Sequence, residues 1–152
     1  MIIDSFPHKF FFTFLYKITR FILAIMFFYA SYDKILYPTA FAKIVYSYQI
    51  LPDFFVNITA IVLPWLEFVL GVFLIAGFYI QGSAIITNIL LIIFMGAIIF
   101  NLSRGLNINC GCFSTSLNTS ISLLTILRDM FFIFLSFYLI YSVFFLLPRS
   151  KK

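Results

Sequence analysis

The chain has 152 residues, 64% of them hydrophobic and only 10% charged, against about 45–50% and about 25% in an ordinary soluble domain. A fold of this size leaves roughly 30% or more of its surface exposed, so this composition excludes a water-soluble globule and requires lipid as the solvent. The net charge of +5, from ten Lys/Arg against five Asp/Glu, does not indicate nucleic acid, because the basic residues cluster near the ends and form no face with interleaved aromatics.

Four stretches reach the roughly 20 apolar residues needed to cross about 30 Å of hydrocarbon as helix. They predict an all-α membrane protein, a four-transmembrane-helix bundle forming a single domain over residues 1–152. The first helix is expected at about 13–32, with Lys17 and Arg20 near its start, where long side chains can snorkel to the headgroups. A basic N-terminus before an apolar run also resembles a signal peptide. Tyr29-Ala30-Ser31-Tyr32-Asp33 offers no small-x-small cleavage site, so the segment is read as a retained span.

Between the first and second spans, Phe41, Ile44, Val45 and Tyr48 recur at i, i+3, i+4 and i+7, opened by Pro38 and closed by Leu51-Pro52. That spacing predicts a short amphipathic helix, lying flat on the interface or packed on the bundle as a lid. The second span is expected at about 54–79, with a kink at Pro64, and the third at about 82–102, leaving Ile80-Gln81-Gly82 as a tight turn. The fourth is expected at about 121–147, capped by Asn118, Thr119 or Ser120 and ending before Pro148.

Lys9, Lys17, Arg20, Arg149, Lys151 and Lys152 go with the termini, against Lys34, Lys43 and Arg104 in the first and third loops. By the positive-inside rule both termini face the cytoplasm and those two loops lie outside it. An even number of spans requires the same of the two ends.

The third loop holds both cysteines of the chain, in Cys110-Gly111-Cys112. A metal site lacks ligands, since closed zinc sites take four Cys/His and iron–sulfur clusters four cysteines. The only histidine, His8, belongs to the opposite side. The pair alone offers half of a site shared with another chain, or a two-coordinate soft-metal site. Redox chemistry fits better. A disulfide across one residue needs a turn that Gly111 permits, would be strained and would exchange readily. As a structural staple it would constrain almost no loop entropy. Arg104 and the N-terminal end of the fourth helix favour a thiolate there. Two inert thiols or a loop staple are the plainer alternative.

Glu67, Arg128 and Asp129 are the ionisable residues expected inside the bilayer, at about 2.5–3.5 kcal/mol each if unpaired. Arg128 and Glu67 are placed at matching depth and predicted to pair. Consecutive residues diverge by about 100° on a helix, so Asp129 is expected to reach Lys34 or Arg104 instead of Arg128. A network that only orients helices is an equally open reading of these charges.

Ala30-Ser31, Lys34-Ile35-Leu36, Pro38, Phe41, Tyr48-Gln49-Ile50-Leu51-Pro52 and Leu63-Pro64 with Glu67 and Gly71 resemble the first half of the MauE/DoxX-like membrane family. Arg104-Gly105, Cys110-Gly111-Cys112-Phe113 and Leu127-Arg128-Asp129 resemble its MauE branch, with departures at Asn109 and Ser114, where the family often has aspartate and glycine. The resemblance implies a four-helix membrane protein supporting the maturation of disulfide-rich extracytoplasmic proteins, commonly beside a thioredoxin-like partner. The residues and the resemblance together predict a thiol–disulfide redox protein of the inner membrane. Cys110 and Cys112 form its redox pair, and Arg104, Glu67, Arg128 and Asp129 are supporting charges that tune the thiolate and a bound quinone. The alternatives are a non-catalytic subunit or assembly scaffold of a larger oxidoreductase complex and, more remotely, a small transporter using Glu67 and Arg128.

Overall fold

The computed structural model describes residues 6–105 and 123–146. Among them the chain is a multi-pass membrane protein with four helices long and apolar enough to cross a bilayer, and no strand. Helix α1 spans Phe6–Leu36, α2 Pro38–Ser47, α3 Asp53–Ala76, α4 Ile80–Ser103 and α5 Leu123–Tyr141, continued by a π-helical turn at Ser142–Leu146. Large apolar side chains such as Ile25, Phe54, Ile61, Trp65, Ile93 and Phe134 face outward, the inversion expected when the surroundings are lipid.

Each helix buries a stripe at the 3.6-residue period. On α1 it runs Tyr16, Thr19, Leu23, Phe27, Ala30 and Lys34, and on α3 Val56, Ala60, Pro64, Glu67, Gly71 and Leu74. The two stripes meet to form the α1–α3 packing, where Gly71 lets the backbones approach. A Cβ there would lie 3.3 Å from Phe28 Cε2 and 3.4 Å from the Ala24 carbonyl oxygen. Helices α4 and α5 close the bundle around a core that includes Phe27, Leu74, Leu91 and Leu139. Asn88 Nδ2 donates to Ser136 Oγ at 3.2 Å across their interface.

The amphipathic helix between the first two spans is present as α2. Phe41 and Ile44 are buried, Lys43 and Tyr46 are exposed, and the inner face packs on α3. Pro38 stands at its start, where the missing N–H costs nothing. Beneath it lies an apolar cavity of about 250 Å³ between Ile44, Leu51, Leu63, Ile93 and Phe94.

Several sequence expectations are changed by the structure. Ile80-Gln81-Gly82 is not the turn but the start of α4. The reversal is Gly77 to Tyr79, with Gly77 at φ 80° as the left-handed cap of α3 and Tyr79 at φ 45°. Arg20 is not only a snorkelling side chain. Its Nη2 donates to the Ile75 carbonyl oxygen at 3.4 Å, placing a cation at the C-terminus of α3, where the helix dipole favours it. The first span is also longer than expected, and α3, which includes Pro64, ends at Ala76 and not near residue 79. The expected cap at Asn118, Thr119 or Ser120 lies outside the described residues.

Gly71→Leu should drive a side chain into Phe28 and the Ala24 carbonyl and cost about 1–3 kcal/mol of stability, the usual range for overpacking. Thermal unfolding in detergent should show a lowered midpoint for Gly71→Leu and little change for a lipid-facing control, Ile61→Leu.

Candidate functional site

Lys34 and Glu67 lie on the core-facing stripes of α1 and α3, so the helical period carries both inward. Lys34 Nζ donates to Glu67 Oε1 at 2.7 Å, with the two side chains 2% and 1% exposed. The ammonium is also 5.1 Å from the ring centroid of Phe41 and 5.1 Å from that of Phe94. A desolvated cation over an aromatic face gains about 2 kcal/mol or more. The charge is thus held by α3, α2 and α4 at once.

The expected Arg128–Glu67 pair is not formed. Arg128 instead donates through Nε (3.1 Å) and Nη2 (3.0 Å) to Asp129 Oδ1, its own neighbour in sequence. The 100° divergence along α5 puts Asp129 on the buried stripe and leaves the Arg128 side chain 38% exposed. The long arginine curls back to reach the acid. Both donors fall on one oxygen, so the contact is not the parallel two-oxygen fork of an optimal arginine–carboxylate pair. Asp129 is also within electrostatic reach of Lys34, and it shares with Glu67 a cavity of about 20 Å³. The expected bond of Asp129 to Lys34 or Arg104 is thus replaced by its bond to Arg128, which is long enough to fold back along the helix.

Arg104 is not a partner of Asp129. It caps α4, with Nη2 2.9 Å from Gln49 Oε1, Nη1 3.3 Å from the Tyr48 carbonyl oxygen and its guanidinium over Phe100 at 5.5 Å. Gln49 reaches it from a left-handed backbone at φ 51°. Arg104 therefore clips the α2–α3 connection to the end of α4, directly before the segment that carries the cysteines. Cys110 and Cys112 lie outside the described residues.

Sequence reasoning missed Lys34 as the partner of Glu67, and with it Phe41 and Phe94. The signal is available, because continuing the stripe from Ala30 by four residues reaches Lys34. Ending the first helix at residue 32 hides it.

A family model described as methylamine utilisation protein MauE matches residues 12–142. The chain belongs to the MauE family. A methylamine utilization protein MauE from Paracoccus denitrificans is 32% identical over 112 residues, 73% of this chain and 60% of the relative. One from Methylorubrum extorquens is 29% identical over 101 residues, 66% of this chain and 54% of the relative. The chain thus spans between half and two thirds of the length of these curated MauE relatives. No solved structure matches it.

Removing one member of the buried pair should be far worse than removing both. Lys34→Met or Glu67→Leu alone should cost about 3–5 kcal/mol by stranding a charge, while the double variant recovers most of the loss. A double-mutant cycle on unfolding midpoints in detergent checks this. Additive losses would mean that the two charges are not coupled.

Proposed function

We propose that this MauE-family membrane protein is a thiol–disulfide redox protein that supports the maturation of extracytoplasmic proteins through Cys110 and Cys112. The observation that carries it is the position of Cys110-Gly111-Cys112. The pair falls in the connection between α4 and α5, the helices that bring Arg104 and the Arg128–Asp129 pair to the same end of the bundle. A disulfide closed between two cysteines one residue apart exchanges rapidly with an incoming thiol, since its ring is strained. The basic ends of the chain support an inner-membrane topology with both termini cytoplasmic and the cysteines outside, in a compartment where disulfides persist.

In this reading Cys110 and Cys112 alternate between dithiol and disulfide against an extracytoplasmic thioredoxin-like partner. Closing the disulfide releases two electrons and two protons. A lipid-soluble quinone is the acceptor we propose, and the largely apolar cavity beneath α2 has Phe94 in its wall for the ring and the hydroxyl-bearing Tyr48 and Thr59 in its lining for the carbonyl oxygens. Such a group, when bound, would supply two-electron acceptance. Arg104 is a positioning residue, fixing where the cysteine segment leaves α4. We read methylamine utilisation, in the family name, as the service this redox work performs for client proteins, with no contact between the chain and the amine required.

A second reading is a non-catalytic subunit or assembly scaffold. It is favoured by the pairing of Lys34 with Glu67 and of Arg128 with Asp129, which suits helix packing as well as chemistry.

Acid quenching and alkylation of cells should trap the chain in both thiol states, and Cys110→Ser should leave the partner reduced. A pair that never changes state, with partner oxidation intact in Cys110→Ser, would sink the redox reading. Stoichiometric co-purification of a partner with a chain lacking both cysteines would favour the scaffold.

A further inference from the structure

Glu67 has two carboxylate oxygens, and only one has a protein partner among the described residues. Oε1 accepts the Lys34 ammonium, while Oε2 is buried with no hydrogen-bond partner there. Leaving a charged group's acceptor unsatisfied in a dry interior costs more than leaving a neutral one so. Lys34 is committed elsewhere, to Oε1 and to the faces of Phe41 and Phe94.

The cavity of about 20 Å³ lies where a partner for that oxygen is needed. Glu67 from α3 and Asp129 from α5 are its polar lining, and Met26, Phe27, Leu91 and Phe94 close most of the rest. The volume exceeds the roughly 10–15 Å³ that one water requires, and two polar partners meet the minimum for holding it. Ionised carboxylates are acceptors only, so the two acids cannot satisfy each other directly. A molecule with two O–H donors matches them. The charged groups around the site are Lys34 on α1, Glu67 on α3, and Asp129 with Arg128 on α5, while α4 presents Leu91 and Phe94 and α2 presents Phe41.

We propose that this cavity is a site for one water molecule, hydrogen-bonded to Glu67 Oε2 and the Asp129 carboxylate, through which the two acids exchange a proton. Asp129 is the entry, because it lies within two turns of the start of α5, toward the end of the span. The transfer balances in one step. Asp129 first takes up a proton from solvent; its O–H then breaks, the water takes up that proton and releases one of its own to Glu67 Oε2, and the water is regenerated. Negative charge appears on Asp129 as it disappears from Glu67, and Lys34 remains on Oε1 throughout. The site stands on the cavity and the unpartnered oxygen, independently of the cysteine chemistry.

Infrared difference spectroscopy on the full chain in lipid nanodiscs, between acidic and neutral buffer, tests it. The wild type should show a single water O–H stretching band that shifts when the solvent is exchanged for oxygen-18 water. Ala30→Ser keeps both acids and the ion pair but places a hydroxyl at the cavity wall, and should abolish that band. The carboxyl C=O band of Glu67, identified by its loss in Glu67→Gln, should move in Asp129→Asn. Absence of an isotope-shifted band in the wild type, or its persistence in Ala30→Ser, would overturn the water site. A Glu67 band unmoved by Asp129→Asn would overturn the exchange.

Discussion

A charge inside a bilayer must find its opposite within the protein, and the Lys34–Glu67 pair is where this chain meets that requirement. At 2.7 Å and essentially without exposure, the pair fixes the rotation of α1 against α3, because turning either helix by one residue would swing its charge about 100° toward lipid. Apolar side chains cannot do this so sharply, since lipid tails are as apolar as leucine and give helices no hydrophobic reason to associate. Gly71, which follows Glu67 on the same buried stripe of α3, contributes by closeness alone, admitting Phe28 and the Ala24 carbonyl to the helix surface.

The other contacts follow from that anchor. With Lys34 inside, Phe41 and Phe94 become the faces that complete its surroundings, which draws α2 onto the bundle and orients α4. With Glu67 inside, Asp129 on α5 comes to share its small cavity, and Arg128 is left at the boundary to balance Asp129. Arg20 and Arg104 work differently, at the two ends of the bundle. Each bonds backbone carbonyls or a connecting segment, Arg20 at the last turn of α3 and Arg104 at the α2–α3 connection. Breaking up the interior charges would therefore alter helix rotation, whereas loss of either end arginine would loosen a connection.

The four spans and α2 are legible in the sequence because lipid imposes length and apolarity, and because α2 repeats its apolar residues at one period. Pairing is less legible. Ending the first helix at residue 32 makes loop residues of Asp33 and Lys34, although helix α1 continues to Leu36. Depth counting then leaves Arg128 as the apparent partner of Glu67. Arg128 and Asp129 do diverge in their Cα–Cβ directions, but arginine is long enough to fold back and reach its neighbour. Gly82 attracts the turn because glycine ends helices, but the turn falls at Gly77, whose positive φ requires glycine, while Gly82 meets nothing that a Cβ would disturb. The candidate cysteines are legible only as a motif and a place in the topology.

The arrangement also separates two kinds of work. Lys34 with Glu67 and Arg128 with Asp129 set each of these interior cations against an acid, and closely matched opposite charges exert little long-range field on groups beyond them. Under the proposed redox reading, any tuning of Cys110 and Cys112 is therefore short-range, and the basic side chain closest to them in sequence is Arg104. Its guanidinium is already engaged with Gln49 and Tyr48, which favours positioning over thiolate stabilisation as its contribution. Under the proposed water site, the buried carboxylates, with a Glu67 oxygen that no described residue partners, serve to carry protons and not to set a sulfur's charge.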